Sequence, residues 1–438
     1  MTRRRYSLTA LALALGFAAG GPAAAQAPAD WSELPVHEVT LFWPGQASLQ
    51  WLRSDEHAGG AQVAAGMACR TCHKDDAAEL GRSIVGGGPL EPRPIEGKKP
   101  VIDLRVQAAH DDENLYLRFQ WATQNPYPGV AHPHWRFDGE GWERWGAPRL
   151  HPDVWQEGGP AIYEDRLSMM LDGGSVPAFA EQGCWLSCHN SMRDMPDEPN
   201  ADKVKAHPLL GEVLGKSDVR KYLAASRADE DANWEATKTP EEIAGIKVDR
   251  GFADLMQWRA HRSNPVGMAD DGYVLEYRLS DAGQPVFTSN WDKDAKRPKY
   301  MFDAVKTGYR SRRADEIVER AEAGALILGE NTVPFDPDLD WTEGEMVPQY
   351  VLSRAQASGS AADNMEVLGT WEDGTWTVVW VRPLDTGEPD DAVLDPGSTL
   401  TVTLAVHDDN ITTRGHHVSF PLTLGLDVEA DITVRKVD

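Results

Sequence analysis

Cysteine is scarce in this sequence, and the few positions it occupies are the most informative feature of the chain. The 438 residues contain four cysteines, which form two short clusters, Cys69-Arg70-Thr71-Cys72-His73 and Cys184-Trp185-Leu186-Ser187-Cys188-His189. No thiol remains for a disulfide elsewhere, so a secreted fold held together by several disulfides is excluded.

Positive charge and long apolar runs are also in short supply. The chain has 43 Lys and Arg against 69 Asp and Glu, a formal net charge of −26. Such a surface repels nucleic acid and anionic lipid, so we expect neither as a partner. After the first 25 residues no apolar run approaches the roughly 18 residues that a membrane-spanning helix needs. Phosphate-binding loops, nucleophile elbows and metalloprotease helices are missing as well, which leaves no recognisable catalytic centre.

Each cysteine cluster has a thiol pair followed directly by a histidine, the pattern of covalent haem attachment. The two thiols reach the vinyl groups of the porphyrin, and the adjacent imidazole takes an axial position on the iron. The second cluster has three residues between its cysteines instead of two, so its loop must bulge. A redox dithiol and a zinc site are the alternatives, but neither explains a histidine after both pairs. We therefore predict two covalently bound haem c groups, attached at Cys69, Cys72, Cys184 and Cys188, with His73 and His189 as proximal iron ligands.

The N-terminus indicates export. Arg3, Arg4 and Arg5 precede an apolar run over residues 8–19, and Ala23-Ala24-Ala25 forms a small-residue cleavage site before Gln26. This combination is typical of a cleaved signal peptide. We expect a periplasmic protein that keeps no membrane span once the signal is removed.

The remainder divides into a short segment and a large one. We predict a signal peptide at 1–25, an N-terminal c-haem module with its linker at 26–95, and a larger domain at 96–438 that carries the second haem motif. Period-two alternation predicts hairpins at 101–109 with 115–121 and at 367–371 with 376–381, and strands at 272–279, 399–406 and 417–424. Helical spacing appears at 201–258 and 314–328, with helix starts at Ser217 and Thr239. The expected fold is mainly β, an antiparallel β-sandwich with helical insertions, preceded by a short cytochrome c-like segment.

Several stretches of the large region resemble the ethylbenzene-dehydrogenase-related haem-binding domain, the β-sandwich of the small haem subunit in type II molybdenum enzymes of the dimethyl sulfoxide reductase family. They are 108–111 running into 116–121, 254–258, 369–376, 382–384, and 405–408 through 416–420. The resemblance covers about residues 96 to 428. It implies a non-covalent b haem held by a methionine and by a lysine near the last strands. This chain instead has attachment motifs, and His416-His417 stands about where that lysine is expected, so it is more similar to a c-type branch.

The second axial ligands are less clear from the sequence. His416 and His417 face opposite sides of a strand, so at most one points into a given pocket. We favour His417, which lies nearest to the family's lysine, with His416 as the alternative and His110 and His261 as further candidates. We do not expect His57 or Met67, because both precede the first motif closely and would have to reach around to the opposite face of the same haem.

These features predict a periplasmic dihaem c-type cytochrome. It would pass electrons between a membrane quinol-linked donor, with a cytochrome b as one candidate, and a periplasmic acceptor. Two alternatives stay open: a haem electron-transfer subunit of a molybdenum oxidoreductase complex, and a haem enzyme that reduces a small molecule at a five-coordinate haem. The sequence favours an electron-transfer protein over a catalyst without deciding between them.

Overall fold

The computed structural model describes residues 27–187, 191–193, 195, 197–228, 233–280, 282–357, 366–409 and 415–437. The predicted signal peptide lies outside the described residues, and so do Cys188 and His189 of the second cluster. Among the described residues, no helix has the length and apolar character needed to cross a membrane.

Strands dominate the secondary structure, which confirms the predicted mainly β class. The strands are β1 His37–Phe42, β2 Val101–His110, β3 Asn114–Ala122, β4 His134–Phe137, β5 Trp142–Trp145, β6 Arg166–Asp172, β7 Ala253–Arg259, β8 Gly272–Val274, β9 Arg278–Ser280, β10 Phe287–Ser289, β11 Tyr300–Phe302, β12 Leu326–Ile327, β13 Thr332–Pro334, β14 Met346–Pro348, β15 Tyr350–Leu352, β16 Glu366–Glu372, β17 Thr375–Pro383, β18 Thr399–His407, β19 His417–Val418, β20 Leu422–Leu426 and β21 Ile432–Lys436. The helices are short: α1 Leu49–Leu52, α2 Gly60–Ala64, α3 Cys69–His73, α4 Ala77–Val85, α5 Pro152–Trp155, α6 Phe179–Gln182, α7 Ala201–Lys205, α8 Pro240–Val248, α9 Ala304–Thr307 and α10 Ala314–Val318. A 3₁₀ turn, Gly183–Ser187, contains the first four residues of the second cysteine cluster.

One large sheet forms most of the molecule. Its strands follow the order β16-β17-β3-β2-β1-β19-β18-β6-β7-β8-β9, while β20 and β21 bridge β18 to β2. The sheet folds back on itself, because rings from distant strands meet in one core. Trp258 of β7 packs against Trp376 of β17 at 4.8 Å between ring centroids and against Trp121 of β3 at 6.0 Å. The folded sheet thus forms two layers, one with β7 and the other with β3 and β17. The core of the predicted sandwich lies between them.

Local chemistry accounts for the elements that the sequence predicted best. In the β2–β3 hairpin, the side chain of Asp111 accepts hydrogen bonds from the backbone N–H groups of Glu113 and Asn114. The β16–β17 hairpin turns at Asp373 and Gly374, which both have positive φ, 48° and 78°, as a two-residue type I′ turn requires. Helix α8 begins at the predicted Thr239, which forms a capping box with Glu242.

Other boundaries differ from the prediction. Residues 253–258, expected to be helical, form β7, because tertiary pairing with β6 overrides the local pattern. No helix begins at Ser217. The single strand expected at 272–279 is a tight hairpin of β8 and β9, and the one expected at 417–424 is divided into β19 and β20.

The N-terminal segment is part of the sandwich. Strand β1 pairs with β2 along its whole length and with β19 at Phe42, so it occupies an interior position of the large sheet. The stretch predicted to be a linker is also packed: Glu91 and Lys98 are buried, and Glu91 accepts a 2.8 Å hydrogen bond from the indole N–H of Trp43. Strand β1 of the predicted N-terminal module therefore shares one sheet with β2 of the predicted larger domain.

Candidate functional site

The first cysteine cluster forms a single helical turn, α3, that presents two thiols. Cys69 is buried and Cys72 is exposed, and neither is in a disulfide. Burial raises the pKa of the Cys69 thiol to about 11, which keeps it protonated and argues against a reactive redox dithiol. Two free thiols one helical turn apart are what the two vinyl groups of a porphyrin require, so these residues fit covalent haem attachment.

His73 at the end of α3 has its ring orientation fixed. Its Nδ1 lies 3.0 Å from the carboxylate of Asp76, which can only accept a hydrogen bond once ionised, so Nδ1 carries the proton. Nε2 is then the nitrogen with a free lone pair. Metal-binding histidines usually have the proton on the other nitrogen held by a carboxylate or carbonyl in this way.

A second histidine with the same arrangement faces His73. Nδ1 of His57 donates a 2.8 Å hydrogen bond to the carbonyl of Leu52, which again leaves Nε2 as the lone-pair nitrogen. The ring centroids of His57 and His73 are 6.2 Å apart with an interplanar angle of 28°. Two imidazoles that flank one metal ion have centroids roughly 6 Å apart, since each metal–nitrogen bond is about 2 Å long and each ring adds about 1 Å. The centroid separation of the pair therefore matches that of two axial ligands of one iron.

The second cysteine cluster opens onto a large cavity. Cys184 is buried at the wall of a space of about 650 Å³, within the range of cofactor pockets. Trp185, His407 and His416 line the same space. His407 is buried, and among the described residues its Nδ1 has no hydrogen-bond partner. A buried thiol, an unsatisfied imidazole nitrogen and a cavity of this size fit a second porphyrin.

The strand register places His416, rather than His417, at this cavity. The ring of His416 lies 4.5 Å from that of His407 between centroids. His417 is fully buried on the opposite side, where its Nε2 donates a 2.9 Å hydrogen bond to the carbonyl of Lys99. The expected alternation of the two histidines is present, but the residue we favoured points away from Cys184.

Aromatic rings join the two cysteine clusters. Phe420, which follows β19, lies 6.1 Å from the ring of His73 and 5.6 Å from that of Trp185, measured between centroids. Phe42 at the end of β1 packs 4.9 Å from Phe420 and 5.7 Å from Trp185. The two motifs, far apart in sequence, are therefore neighbours across one layer of aromatic side chains.

Comparison with known proteins identifies the family of this chain. A family model described as ethylbenzene dehydrogenase matches residues 29–419. The chain belongs to the ethylbenzene dehydrogenase family. The match includes β1 and the first cysteine cluster, so the likeness extends further toward the N-terminus than the motifs in the sequence suggested.

Two relatives of this family member are cytochromes by name. Cytochrome c-552 of Stutzerimonas stutzeri is 28% identical over 436 residues, which is 99% of each chain. Cytochrome c-551 of Rhodocyclus tenuis is 28% identical over 224 residues, 51% of this chain and 73% of the relative.

The remaining histidine candidates of this family member, His110 and His261, have other neighbours than the two cysteine clusters. His110 ends β2, and its two nitrogens contact the carbonyl of Asp111 at 2.7 Å and the carboxylate of Asp427 at 2.9 Å. His261 stacks on His132 at 3.3 Å between centroids, and among the described residues neither of its ring nitrogens has a hydrogen-bond partner. Neither is brought to Cys69 or to the cavity at Cys184.

Sequence reasoning set His57 aside as an axial ligand, and the structure places it beside His73. The run His57-Ala58-Gly59-Gly60 is a turn between α1 and α2 that reverses the chain before the first motif. A Cβ on Gly60 would lie 2.0 Å from the carbonyl oxygen of Ser54, so only glycine permits this return. A histidine in a glycine-dependent turn shortly before the motif is the pattern that brings it opposite His73.

Proposed function

We propose that this protein is a periplasmic dihaem c-type electron carrier. It receives electrons from a membrane quinol-linked donor, for which a cytochrome b is one candidate, and delivers them to a periplasmic acceptor. Each bound haem supplies an iron that cycles between ferric and ferrous states, and the protein supplies attachment, axial ligands and burial.

The observation that carries this proposal is the pairing of His57 with His73. An iron with two imidazole ligands has no open position for a substrate, which favours electron transfer over chemistry at that centre. The names of both cytochrome relatives support a haem role for this chain. For the second haem we propose attachment at Cys184 and Cys188, His189 as the proximal ligand and His416 as the axial candidate on the cavity wall.

The aromatic contact between the motifs supports exchange between the two haems. Phe420 touches the ring of His73 on one side and Trp185 of the second motif on the other. Close approach shortens the path that an electron must cross inside the protein. The two centres therefore act as one relay, with the more exposed first motif as the entry or exit point.

The test is a spectroscopic and kinetic measurement on protein matured in a host that attaches c-type haem. We expect two covalent haems by pyridine haemochrome and mass, a low-spin first haem that does not bind carbon monoxide, and reduction by quinol-supplied membranes. A first haem that is high-spin in the resting protein would contradict the proposal. Stable co-purification with a large molybdopterin protein would instead show a subunit of a molybdenum oxidoreductase.

A further inference from the structure

Three neighbouring strands, β6, β7 and β18, form the floor of the cavity at Cys184, and the polarity of their side chains changes along the floor. Residues on β6, β7 and β18 alternate, so that Leu167, Met169 and Leu171 enter the core while Arg166, Ser168 and Met170 face the cavity. The register aligns three cross-strand rows on this face: Met170 with Leu255 and Thr403, Ser168 with Gln257 and Ala405, and Arg166 with Arg259 and His407. The floor thus runs from an apolar row, through a neutral row, to a cationic row.

The apolar row lies at the attachment end. Met170 and Leu255 belong to the same packed cluster as Cys184 and Trp185. Arg166 is four residues from Met170 along β6, about 13 Å at the usual rise of a strand. This separation is comparable with the width of a porphyrin, which is apolar at its vinyl edge and carries two carboxylates on its propionate edge.

The cationic end holds more positive charge than its acidic partners neutralise. Four arginines line it: Arg166, Arg259, Arg262 and Arg278. Their acidic partners are Glu164, which contacts Arg166, Arg259 and Arg262, and Asp270, which contacts Arg259. Four cations against two carboxylates leave an excess of two positive charges.

Arg278 is the clearest part of this excess. Its Nη2 donates a 2.9 Å hydrogen bond to Gln257, and within the described part of the chain no carboxylate lies at ion-pair distance from it. Burial and the neighbouring Arg259 lower the pKa of Arg278 to about 9. Arg166 and Arg259 also stand directly opposite each other on adjacent strands, a like-charge pairing that destabilises a sheet. Arg166, Arg259 and Arg262 are buried and Arg278 is half-buried, so an anionic group in the cavity would stabilise the cluster.

We infer that this arginine cluster binds the two propionate carboxylates of the haem attached at Cys184. The inference rests on the proposed function, since it takes that haem as bound. Two carboxylates balance two excess cations, and the polarity of the floor orients the porphyrin with its vinyl edge at the thiols. Arg278, which has no carboxylate at ion-pair distance within the described part of the chain, has the largest uncompensated charge, and guanidinium forks bind carboxylates in two-point contacts.

The test compares Arg278→Gln with Arg278→Lys, which keeps the charge, and with Arg320→Gln, which removes an exposed arginine paired to Asp315 at the surface. Loss of a positive charge beside the propionates favours the ferric state of the second haem. We expect its reduction equilibrium to shift on the order of tenfold, about 59 mV for a one-electron couple. Arg278→Lys is expected to shift it less, and Arg320→Gln to leave it unchanged.

Equal potentials in wild type and Arg278→Gln, with both haems attached, would overturn the inference. A second arm needs no variant: inorganic phosphate and sulfate, which are redox-inert oxyanions, are titrated into the wild-type protein. If propionates occupy the arginines, neither anion changes the spectrum or the potential. A saturable change would overturn the inference and identify the cluster as a site for an external oxyanion. A wild-type protein with fewer than two covalent haems would refute the proposed function itself, which distinguishes the two failures.

Discussion

His57 provides the sharpest test of the first haem site. Replacing it with alanine removes one of two imidazoles whose centroids are 6.2 Å apart and leaves the opposite one, His73, in place. The affected centre is one of two, so we expect about half of the haem absorbance to change from low-spin to high-spin. The variant should also bind carbon monoxide at one haem per chain, while two haems remain attached by mass.

The fold should survive this change. Besides facing His73, His57 donates one hydrogen bond to Leu52 and packs against Trp51 at 5.2 Å between centroids, so its loss costs about 1 kcal/mol for the hydrogen bond and a similar amount for the contact. His37→Ala is a matched control, because that histidine accepts a hydrogen bond from Thr433 on the sheet.

Met67 is positioned to replace His57 as an axial ligand, which would hide the change to high spin in His57→Ala. The thioether of Met67 lies 3.9 Å from the thiol of Cys72, and methionine is a normal axial ligand of c-type haem. If His57→Ala stays low-spin with a methionine-type spectrum, His57→Ala with Met67→Leu should then become high-spin. Unchanged spectra and potentials in both the single and the double variant would refute the axial role of His57.

Four further outcomes follow from the geometry. Cys69→Ala with Cys72→Ala should leave one covalent haem by mass, since the second cluster is independent. Phe420→Ala should slow electron exchange between the haems, measured by flash photolysis, whereas Phe420→Trp should preserve it. Arg382→Gln should lower the free energy of unfolding by about 3–5 kcal/mol in urea, because it leaves the buried carboxylate of Asp254 unpaired. Burial, with neighbouring carboxylates, raises the pKa of Asp254 to about 6; the native state then binds this proton more tightly than the unfolded chain. Proton binding to the carboxyl group of Asp254 should therefore increase the free energy of unfolding as pH falls from 7 to 5. Asp254→Asn should flatten that rise.

The predictable parts of the fold are those set by local chemistry. The two long hairpins were located from alternation and turn residues, and α8 from its capping box, because the interactions that define them span a few residues. The insertion of β1 between β2 and β19 depends on pairing with residues far along the chain. No periodicity within residues 37–42 specifies those partners.

The candidate site also combines residues that the sequence predicts with residues that only the folded structure locates. The predicted attachment residues follow from two motifs, and the structure brings the two motifs together, with the rings of His73 and Trp185 on either side of Phe420. The choice between His416 and His417 depends on the register of β19, because a shift of one residue moves each side chain to the opposite face of the sheet. His57 needed the glycine turn at Gly60, whose close approach to Ser54 becomes apparent only in three dimensions.

The strands beneath the cavity show how one sequence serves both a core and a cofactor. Residues 166–172 form strand β6, and every one of them is buried. A strand buried on both faces is ordinarily apolar throughout, yet this one carries Arg166 and Ser168 on one face. Polar residues at alternate positions of a buried strand indicate that the second face is covered by something other than a standard core. With two excess positive charges at one end and a thiol at the other, the covering group should be an apolar molecule with two anionic substituents.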